Sequence, residues 1–464
     1  MILHINPAEV YGLPPEEKAT LAELLEIYDR HLSKNRQKNK YYEGRIPLSE
    51  VNLGLALPDG VQRLEIGCAW GANAVDVLAA RSMFDGFVNA DGQTVPELDA
   101  IAADNQLLFE YKKAARDELK FGCTFATLSA DDASGCRIRW HSPLGAAARW
   151  NGALGRIDAG FAVIDGEQNK EKPEAWIPSV INLYTDRAIW VMTRVDRRWI
   201  AVGYAHRMGR PLMEPLIWNA TSDKPFGRSR IKEPVRRLIQ GYVRTVANAS
   251  IGLEFATAPQ KYILGVTDAQ YDALINQKFR QYVGSILAST VNPETGEKPT
   301  FGQLQQGSIT PHVEMMRILS AQFAAATGLT VSDTGVINDA NPTSSDAILA
   351  QSQTLVAKAQ ELNAGNGGSL RTIALMALAI AQDTTVDELP EEQRSIVARF
   401  KNPAMPSVAV TADAAVKIAG ARPAFANTNV FLEMLGFSAA EIRQINAQEQ
   451  RARGLNTLEA MGIE

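Results

Sequence analysis

The feature that most constrains the fold is a helical pattern near the middle of the chain, at residues 226–264. Its apolar residues recur at spacings of three and four, which is typical of one face of an amphipathic helix. Pro234 fits the first helical turn, where its missing N–H is not needed, and a helix from there to Phe255 would be about 30 Å long. Strands precede this segment and helices follow it, so the pattern predicts a rod between two domains. The apolar residues are Ile231, Val235, Leu238, Ile239, Tyr242, Val243 and Val246.

Composition limits the class of protein. A chain of 464 residues with 46% hydrophobic and 21% charged residues is globular and long enough for two to four packed units. Its 3 cysteines, Cys68, Cys123 and Cys136, form no CxxC pair, which predicts buried thiols in a reducing compartment. The first residues lack the order of a signal peptide, and the apolar runs fall short of about 20 residues, so we expect a soluble protein with no membrane partner.

The net charge of -5 bears on nucleic-acid binding. A protein that holds nucleic acid tightly neutralises phosphates with an excess of lysine and arginine. This chain has 47 such residues against 52 acids, so any DNA should be held loosely.

The N-terminal half predicts an α+β fold. Helical patterns occur at residues 15–39 and 97–119, and residues 122–218 read as short antiparallel strands separated by turns. Lysine and arginine beside Tyr41 and Tyr42, in residues 35–45, fit either a nucleic-acid patch or cations at a helix end followed by packing aromatics. We favour packing.

Residues 63–81 present a strand, a glycine turn and a helix, the arrangement with which methyltransferases and dinucleotide folds bind a cofactor. Residues 64–75 therefore support an alternative function as an S-adenosylmethionine-dependent methyltransferase. However, Ala69 and Trp70 stand where such a loop needs glycine, and no strand-helix alternation follows. We favour a structural role in which Trp70 and a helix at residues 73–83 pack as core.

The second half contains a small α/β segment and then helices. Residues 257–308 predict a strand, a helix at 268–287 and a hairpin-like stretch. Thr310 and Pro311 are favourable N-cap and N1 residues for a helix that runs to Thr327 and stops at Gly328. After a polar loop, Thr343 and Asp346 form a capping box for a helix that should end at the glycines of 364–368. Further helices are predicted at residues 369–382, 411–420, 428–436 and 438–454.

No motif for catalysis or metal binding is visible. The 5 histidines are scattered, and the sequence has no HExxH, GxSxG or GxxxxGK[ST] pattern. The sequence therefore predicts no catalytic residue, no metal, no cofactor and no enzymatic activity.

Taken together, several segments resemble the portal proteins of tailed bacteriophages, of the siphophage type found in phages of Gram-positive hosts. The resemblance lies in three segments. Residues 35–45 contain the basic helix end and the Tyr-Tyr-x-Gly motif, and residues 70–87 contain a Trp, then Val-Asp, then Gly-Phe. The loop of residues 327–350 contains the string Asn-Pro-x-Ser-x-Asp-Ala. Segments 183–185, 209–219, 226–231 and 258–265 add further markers in the same order. The series comprises Trp70, Val75, Asp76, Ala79, Arg81, Gly86 and Phe87.

The resemblance implies a portal fold with four parts. A wing with strands and helices would take residues 1–240 and 343–425, and a two-helix stem residues 241–256 and 310–328. A small α/β clip insertion would be residues 257–309, a tunnel loop residues 329–342, and a helical crown residues 426–464.

The resemblance also implies function and partners. Portal proteins form rings of twelve at one capsid vertex of the virion, through which double-stranded DNA is packaged and ejected, and they are head-tail connectors. Expected partners are copies of the chain, loosely held DNA, the terminase large subunit, a head-tail adaptor protein and the major capsid protein, met first in the host cytoplasm during assembly. A non-phage scaffold with a β layer and a helical hairpin is a further reading.

The tunnel loop supplies the expected DNA-channel residues, Thr330, Ser332, Asp333, Asn338, Asp339 and Asn341. Asn338 and Asn341 are the best candidates for transient phosphate contact, although both also fit ordinary turns. Five charged residues in the stem or just before it are expected stem or intersubunit residues, and the arginines fit either a DNA-binding stripe or bridges to acids on neighbouring subunits, the reading we favour. These residues are Arg236, Arg237, Arg244, Glu314 and Arg317.

Overall fold

The structure is a computed structural model that describes residues 3, 5–47, 65–131, 135–168, 176–257, 261–264, 296, 300–303, 308–336, 345–404, 408–437 and 439–460. The chain divides into two compact units. Unit 1 comprises Met1–Tyr42, Ala72–Lys232 and Pro342–Glu464, and unit 2 comprises Glu43–Gly71 and Glu233–Asn341. Both helices and antiparallel sheets are present, so the predicted α+β class is confirmed.

The helices of the described residues are numbered here in chain order. They are α1 (Pro15–Glu43), α2 (Trp70–Ala79), α3 (Pro96–Asp104), α4 (Leu107–Phe121), α5 (Glu233–Thr257), α6 (Thr310–Thr327), α7 (Ser345–Ala381), α8 (Glu391–Arg394), α9 (Val408–Ala421), α10 (Asn429–Met434) and α11 (Ala439–Ala460). Within these helices, none is long and apolar enough to cross a bilayer.

The strands are short and pair antiparallel in every sheet of the described residues. They are β1 (Arg45–Pro47), β2 (Glu65–Gly67), β3 (Phe84–Val88), β4 (Cys123–Asp131), β5 (Gly135–His141), β6 (Ala146–Asn151), β7 (Arg156–Gln168), β8 (Trp176–Tyr184), β9 (Ala188–Val195), β10 (Arg198–Ala205), β11 (Met213–Ile217), β12 (Lys261–Leu264), β13 (Thr300–Gln303) and β14 (Val397–Phe400). The sequence predicted antiparallel strands over residues 122–218, and β4 to β11 lie in that range.

Unit 1 is built on a five-stranded sheet with the order β10-β9-β8-β7-β6. Helix α1 covers one face, because its buried Leu21, Leu24 and Tyr28 share a core with that sheet. The Tyr28 ring meets Phe161 edge-on at 5.7 Å between centroids, and its hydroxyl donates to the Leu144 carbonyl at 2.7 Å. This burial of large apolar and aromatic side chains is the main stabilising term for the layer.

The other core of unit 1 joins the three-stranded sheet, of order β11-β4-β5, to α4 and the second half of α7. It explains why the second half of α7 is apolar on nearly all sides. Residues 373–379 are all buried, among them Ile373 and Met376 with no exposed surface. A helix that is apolar all round is expected only where neighbours cover every face.

The end of α1 settles the reading of residues 35–45 in favour of packing. The helix extends to Glu43, beyond the predicted end at residue 39, and Tyr41 is buried. The Tyr42 hydroxyl donates to Asp76 at 3.0 Å, and Lys38 donates to the Phe121 carbonyl at 2.7 Å. Both tyrosines and this lysine therefore have structural partners inside unit 1.

Helix α7 contradicts the prediction that the glycines of 364–368 end one helix and begin another. The helix continues through Gly365, Gly367 and Gly368 to Ala381. Between the glycines, Asn366 is buried and its side-chain N–H groups donate to the Tyr111 hydroxyl at 3.0 Å and to Glu118 Oε2 at 2.8 Å. These tertiary bonds override the low helix propensity of glycine, which costs about 1 kcal/mol per residue relative to alanine.

Other helix boundaries also differ from the predictions. The helix predicted at 97–119 is two helices, because Gln106 adopts φ 48° between α3 and α4. Helix α2 begins at Trp70 and ends at Ala79, earlier than the predicted 73–83, and α11 continues past Gly454. The N-cap of α6 is Ile309, with no side-chain cap bond, so Thr310 is the first helical residue.

Unit 2 contains α5, α6 and two small sheets. Strand β1 pairs with β2, and β12 pairs with β13, which confirms the predicted strand near residue 261. The helix predicted at 268–287 and the Thr343 residue of the predicted capping box lie outside the described residues.

We expect Glu118 to make stability depend on pH. It is fully buried, and burial raises its pKa from 4.5 to about 8, only partly offset by the Asn366 hydrogen bond. The folded protein therefore keeps a proton that the unfolded chain loses above pH 4.5, so the stability that Glu118 contributes is full below that pH and is lost as pH rises through 8. Glu118→Gln, which mimics the protonated acid, should reduce this fall in urea midpoint between pH 6 and pH 8.5. An equal fall in both proteins would show that Glu118 does not titrate as stated.

Candidate functional site

Helices α5 and α6 of unit 2 pack against each other along apolar faces. The face of α5 carries Ile239, Val243 and Ala247, and the face of α6 carries Leu319 and Phe323, all of them buried. A Cβ atom on Gly241 would lie 3.3 Å from Leu319 Cδ2, so the glycine permits the close approach. The predicted helix 310–328 is confirmed at its end, because Gly328 adopts φ 72° and its N–H bonds to Ala324 at 2.7 Å.

Trp70 joins the two helices. Its ring stacks on Tyr242 of α5 with centroids 4.2 Å apart and on Phe323 of α6 with centroids 4.7 Å apart. The indole N–H donates to the Thr334 carbonyl at 3.0 Å, and the side chain is 2% exposed. A tryptophan between two aromatic rings buries a large apolar area while its one polar atom keeps a hydrogen bond.

The loop after α6 folds back over that helix. Thr334 is buried and its hydroxyl shares a 2.6 Å hydrogen bond with Ser320 of α6. The Asp333 carboxylate accepts bonds from the Thr330 backbone N–H at 2.9 Å and the Thr330 hydroxyl at 2.8 Å. Residues 328–336 therefore form an ordered turn that presents Ser332 to solvent.

The loop residues predicted from the sequence divide into two groups. Thr330 and Asp333 are partly buried and bind each other, whereas Ser332 is exposed. Asn338, Asp339 and Asn341 lie outside the described residues. The sequence did not single out Ser320 or Thr334. The one available signal was for Ser320, a small polar residue on the apolar face of α6.

The predicted stem charges make local contacts. Arg237 pairs with Glu233 at 3.2 Å one turn away, and Arg317 pairs with Glu314 at 3.4 Å; both carboxylates are well exposed. Such exposed pairs contribute at most about 1 kcal/mol each. Arg236 is also engaged within the subunit, and Arg244 is partly buried on α5. Arg230 lies before α5, is buried in unit 1, and donates from Nε to the Ala74 carbonyl.

Three large apolar side chains of α6 are exposed. Val313, Met315 and Ile318 are 37%, 41% and 52% exposed. Met315 and Ile318 are three residues apart and lie on the same side of the helix, whereas Val313, two residues before Met315, lies on a different side.

The geometry does not support the methyltransferase alternative at residues 64–75. Strand β2 has three residues and pairs antiparallel with β1, whereas a cofactor-binding sheet of that class is parallel and doubly wound. Trp70 is the first residue of α2, and its ring stacks on Tyr242 and Phe323. The structural role predicted for Trp70 is confirmed. Cys68 is also buried, which raises the pKa of its thiol to about 11.

Comparison with known proteins finds two curated relatives, both portal proteins, at low sequence identity. The chain is 23% identical over 455 residues to the portal protein of Mycobacterium phage D29, covering 95% of this chain and 90% of that protein. It is 24% identical over 425 residues to the portal protein of Mycobacterium phage L5, covering 88% of this chain and 84% of that protein. No family model matches the sequence.

Among solved structures, one chain in the virion of a native gene transfer agent particle aligns with a TM-score of 0.45 at 13% identity, covering 79% of this chain and 89% of that one. A chain in the neck of a native gene transfer agent particle aligns with a TM-score of 0.43 at 11% identity, covering 81% and 89%. The chain is therefore similar, over nearly the whole length of each relative, to two portal proteins of mycobacteriophages.

Removing the Trp70 ring should loosen the helix pair. We expect Trp70→Ala to cost about 3–5 kcal/mol, since it deletes a large buried aromatic side chain. Hydrogen exchange measured by mass spectrometry should rise in α5 and α6. Phe109→Ala, which removes a ring that is 56% exposed in unit 1, is the matched control and should leave that exchange unchanged. Unaltered exchange in Trp70→Ala would show that the ring does not hold the two helices.

Proposed function

We propose that the chain forms a ring-shaped channel at one capsid vertex, through which double-stranded DNA is packaged and ejected and to which the tail attaches. The observation that carries this proposal is the match to two curated portal proteins over 84% or more of every chain compared. A match at low identity over such a long span fits proteins that keep the same fold and assembly while their surface residues change. The role proposed is structural, with no catalytic residue and no cofactor.

The ring is proposed to be a homododecamer, a number that comes from the family resemblance. The exposed apolar side chains Met315 and Ile318, on one side of α6, support assembly because a second copy of the chain can cover them. We propose that Arg236, Arg237, Arg244, Glu314 and Arg317 lie at or near contacts between neighbouring stems. A DNA-binding stripe is the alternative role for the arginines.

The division of the chain is proposed as follows. Residues 1–240 and 343–425 form the wing, 241–256 and 310–328 the stem, 257–309 the clip, 329–342 the tunnel loop and 426–464 the crown. The close packing of α5 on α6 supports a two-helix stem.

The tunnel loop is proposed to face the channel. The Ser320–Thr334 bond holds residues 328–336 to α6, and the Trp70–Thr334 bond holds them to Trp70 at the start of α2, so the rest of the loop starts from a fixed base. Polar side chains such as Ser332, Asn338 and Asn341 can touch phosphates briefly, whereas a row of cations would hold the duplex. The net charge of -5 fits a channel through which DNA slides.

The proposed partners are the terminase large subunit, a head-tail adaptor protein and the major capsid protein, in addition to DNA and copies of the chain. Assembly would begin in the host cytoplasm and end at the portal vertex of the virion.

The ring is tested by mass photometry of the purified full-length protein. Twelve copies of the 50.5 kDa chain give a particle of about 600 kDa. We expect this species to dominate at micromolar concentration. Monomers or dimers alone, under conditions where the protein is folded, would contradict the proposed function.

The loop is tested by photo-cross-linking in packaged heads. A cross-linking residue at Ser332 should label the packaged DNA, since the exposed side chain lies in the proposed channel. The same residue at Ser222, exposed in unit 1, is the control and should label DNA far less. Labelling from Ser222 but not from Ser332 would exclude the loop from the channel.

A further inference from the structure

The β9–β10 hairpin of unit 1 carries a concentration of positive charge that the proposed function does not use. Residues 187–210 contain six arginines and one acid, Asp196, in a chain whose net charge is -5. Three of these arginines, Arg194, Arg197 and Arg198, line a crevice of about 540 Å³ at the tip of the hairpin. Leu3, Ile5, Asn6, Glu9, Tyr11 and Trp199 complete its walls.

The three guanidinium groups have no ion-pair partner among the described residues. Glu9 is the one acid among the described residues that line the crevice, and its carboxylate accepts a bond from Asn6 at 2.8 Å. Three guanidinium groups beside a single carboxylate leave a net positive charge, so an anionic group that enters the crevice is stabilised.

The turn at the tip keeps an arginine in an unfavourable conformation. Asp196 and Arg197 adopt φ 47° and 66°, the left-handed region in which glycine and asparagine are favoured. Glycine at position 197 would relieve this strain, but it would also remove one of the three guanidinium groups. Both central residues of a two-residue type I′ hairpin turn need a positive φ, so the turn itself imposes this conformation on Arg197.

A second charged surface of unit 1 has the opposite sign. Residues 383–392 contain five acids and no lysine or arginine, and Asp387, Glu391 and Glu392 are exposed. The Glu388 carboxylate accepts bonds from Thr384 and Thr385, and these bonds, with a smaller effect of the Arg207 charge, hold its pKa below the ordinary value. No salt bridge to any of the five acids occurs within the described residues.

These two surfaces cannot neutralise each other in one subunit. The acidic stretch lies near the base of the hairpin, where Arg207 donates to the Asp383 carbonyl at 3.4 Å. The arginine crevice lies at the tip, seven residues away along β10, which is about 23 Å at the rise of a strand. At physiological ionic strength the screening length is about 8 Å, so the charges at base and tip are independent.

We infer that the arginine crevice of one subunit receives the acidic stretch, residues 383–392, of the next subunit in the ring. A closed ring requires a head-to-tail interface in which each copy contributes two different surfaces, and this chain carries two surfaces of opposite sign. Carboxylates entering the crevice gain forked bonds from the guanidinium groups. The inference rests on the proposed function, since it requires a ring.

Charge reversal in the full-length protein tests the inference. Variant A is Arg194→Glu, Arg197→Glu and Arg198→Glu together, and variant B is Glu391→Arg with Glu392→Arg. Each variant alone should raise the concentration for half-maximal ring assembly about tenfold or more by mass photometry, because two or three partly exposed ion pairs become repulsions. A 1:1 mixture should restore rings, since each reversed tip then meets a reversed stretch.

Two variants separate charge from folding. Arg197→Gly removes one guanidinium while relieving the strained turn, so it should weaken assembly without lowering the melting temperature. Arg30→Glu makes the same charge change on α1, where the side chain is 64% exposed, and should leave assembly unchanged.

The outcomes separate the inference from the proposed function. If the unaltered protein forms no ring, the proposed function itself fails. If rings form and variants A and B assemble normally, or if their mixture gives no rescue, the contact is wrong while the function stands. Reduced binding of duplex DNA by variant A, with normal ring assembly, would assign the crevice to phosphate and overturn the inference.

Discussion

The stacking of Trp70 between Tyr242 and Phe323 is the interaction on which unit 2 depends. It joins α5 to α6 and, through the indole N–H, also holds the Thr334 carbonyl of the loop that follows α6. One side chain thus sets the spacing of two helices and the starting point of the proposed tunnel loop. The same residue removes the methyltransferase alternative, because a cofactor would need the space that the ring fills.

Unit 1 depends on a different constraint, the continuity of α7 through three glycines. Asn366 lies among them and reaches both Tyr111 and Glu118 of α4, so the buried polar cluster compensates for weak local propensity. Such a cluster is stabilising only while each partner is present, since a buried carboxyl without a donor is costly. The apolar half of α7 can then pack under the three-stranded sheet.

The sequence predicted those features that depend on neighbouring residues, such as helix ends and turns. Gly328 ends α6 as predicted, and the turn residues between short segments located the strands of residues 122–218. The glycines of 364–368 misled because the partners of Asn366 are about 250 residues away in sequence, and the break at Gln106 has no glycine or proline to mark it. The role of Trp70 was predicted, but its partners Tyr242 and Phe323 could not be. The positions of Asn338 and Asn341 stay predictions.

The central claim is that the helix pair fixed by Trp70 forms the wall of a DNA channel. Cryo-electron microscopy of the assembled full-length protein tests it most directly. The account predicts a closed ring in which α5 and α6 of every subunit surround a central opening and Ser332 faces that opening. A ring with this helix pair on its outer rim, or an assembly with no opening, would contradict the account.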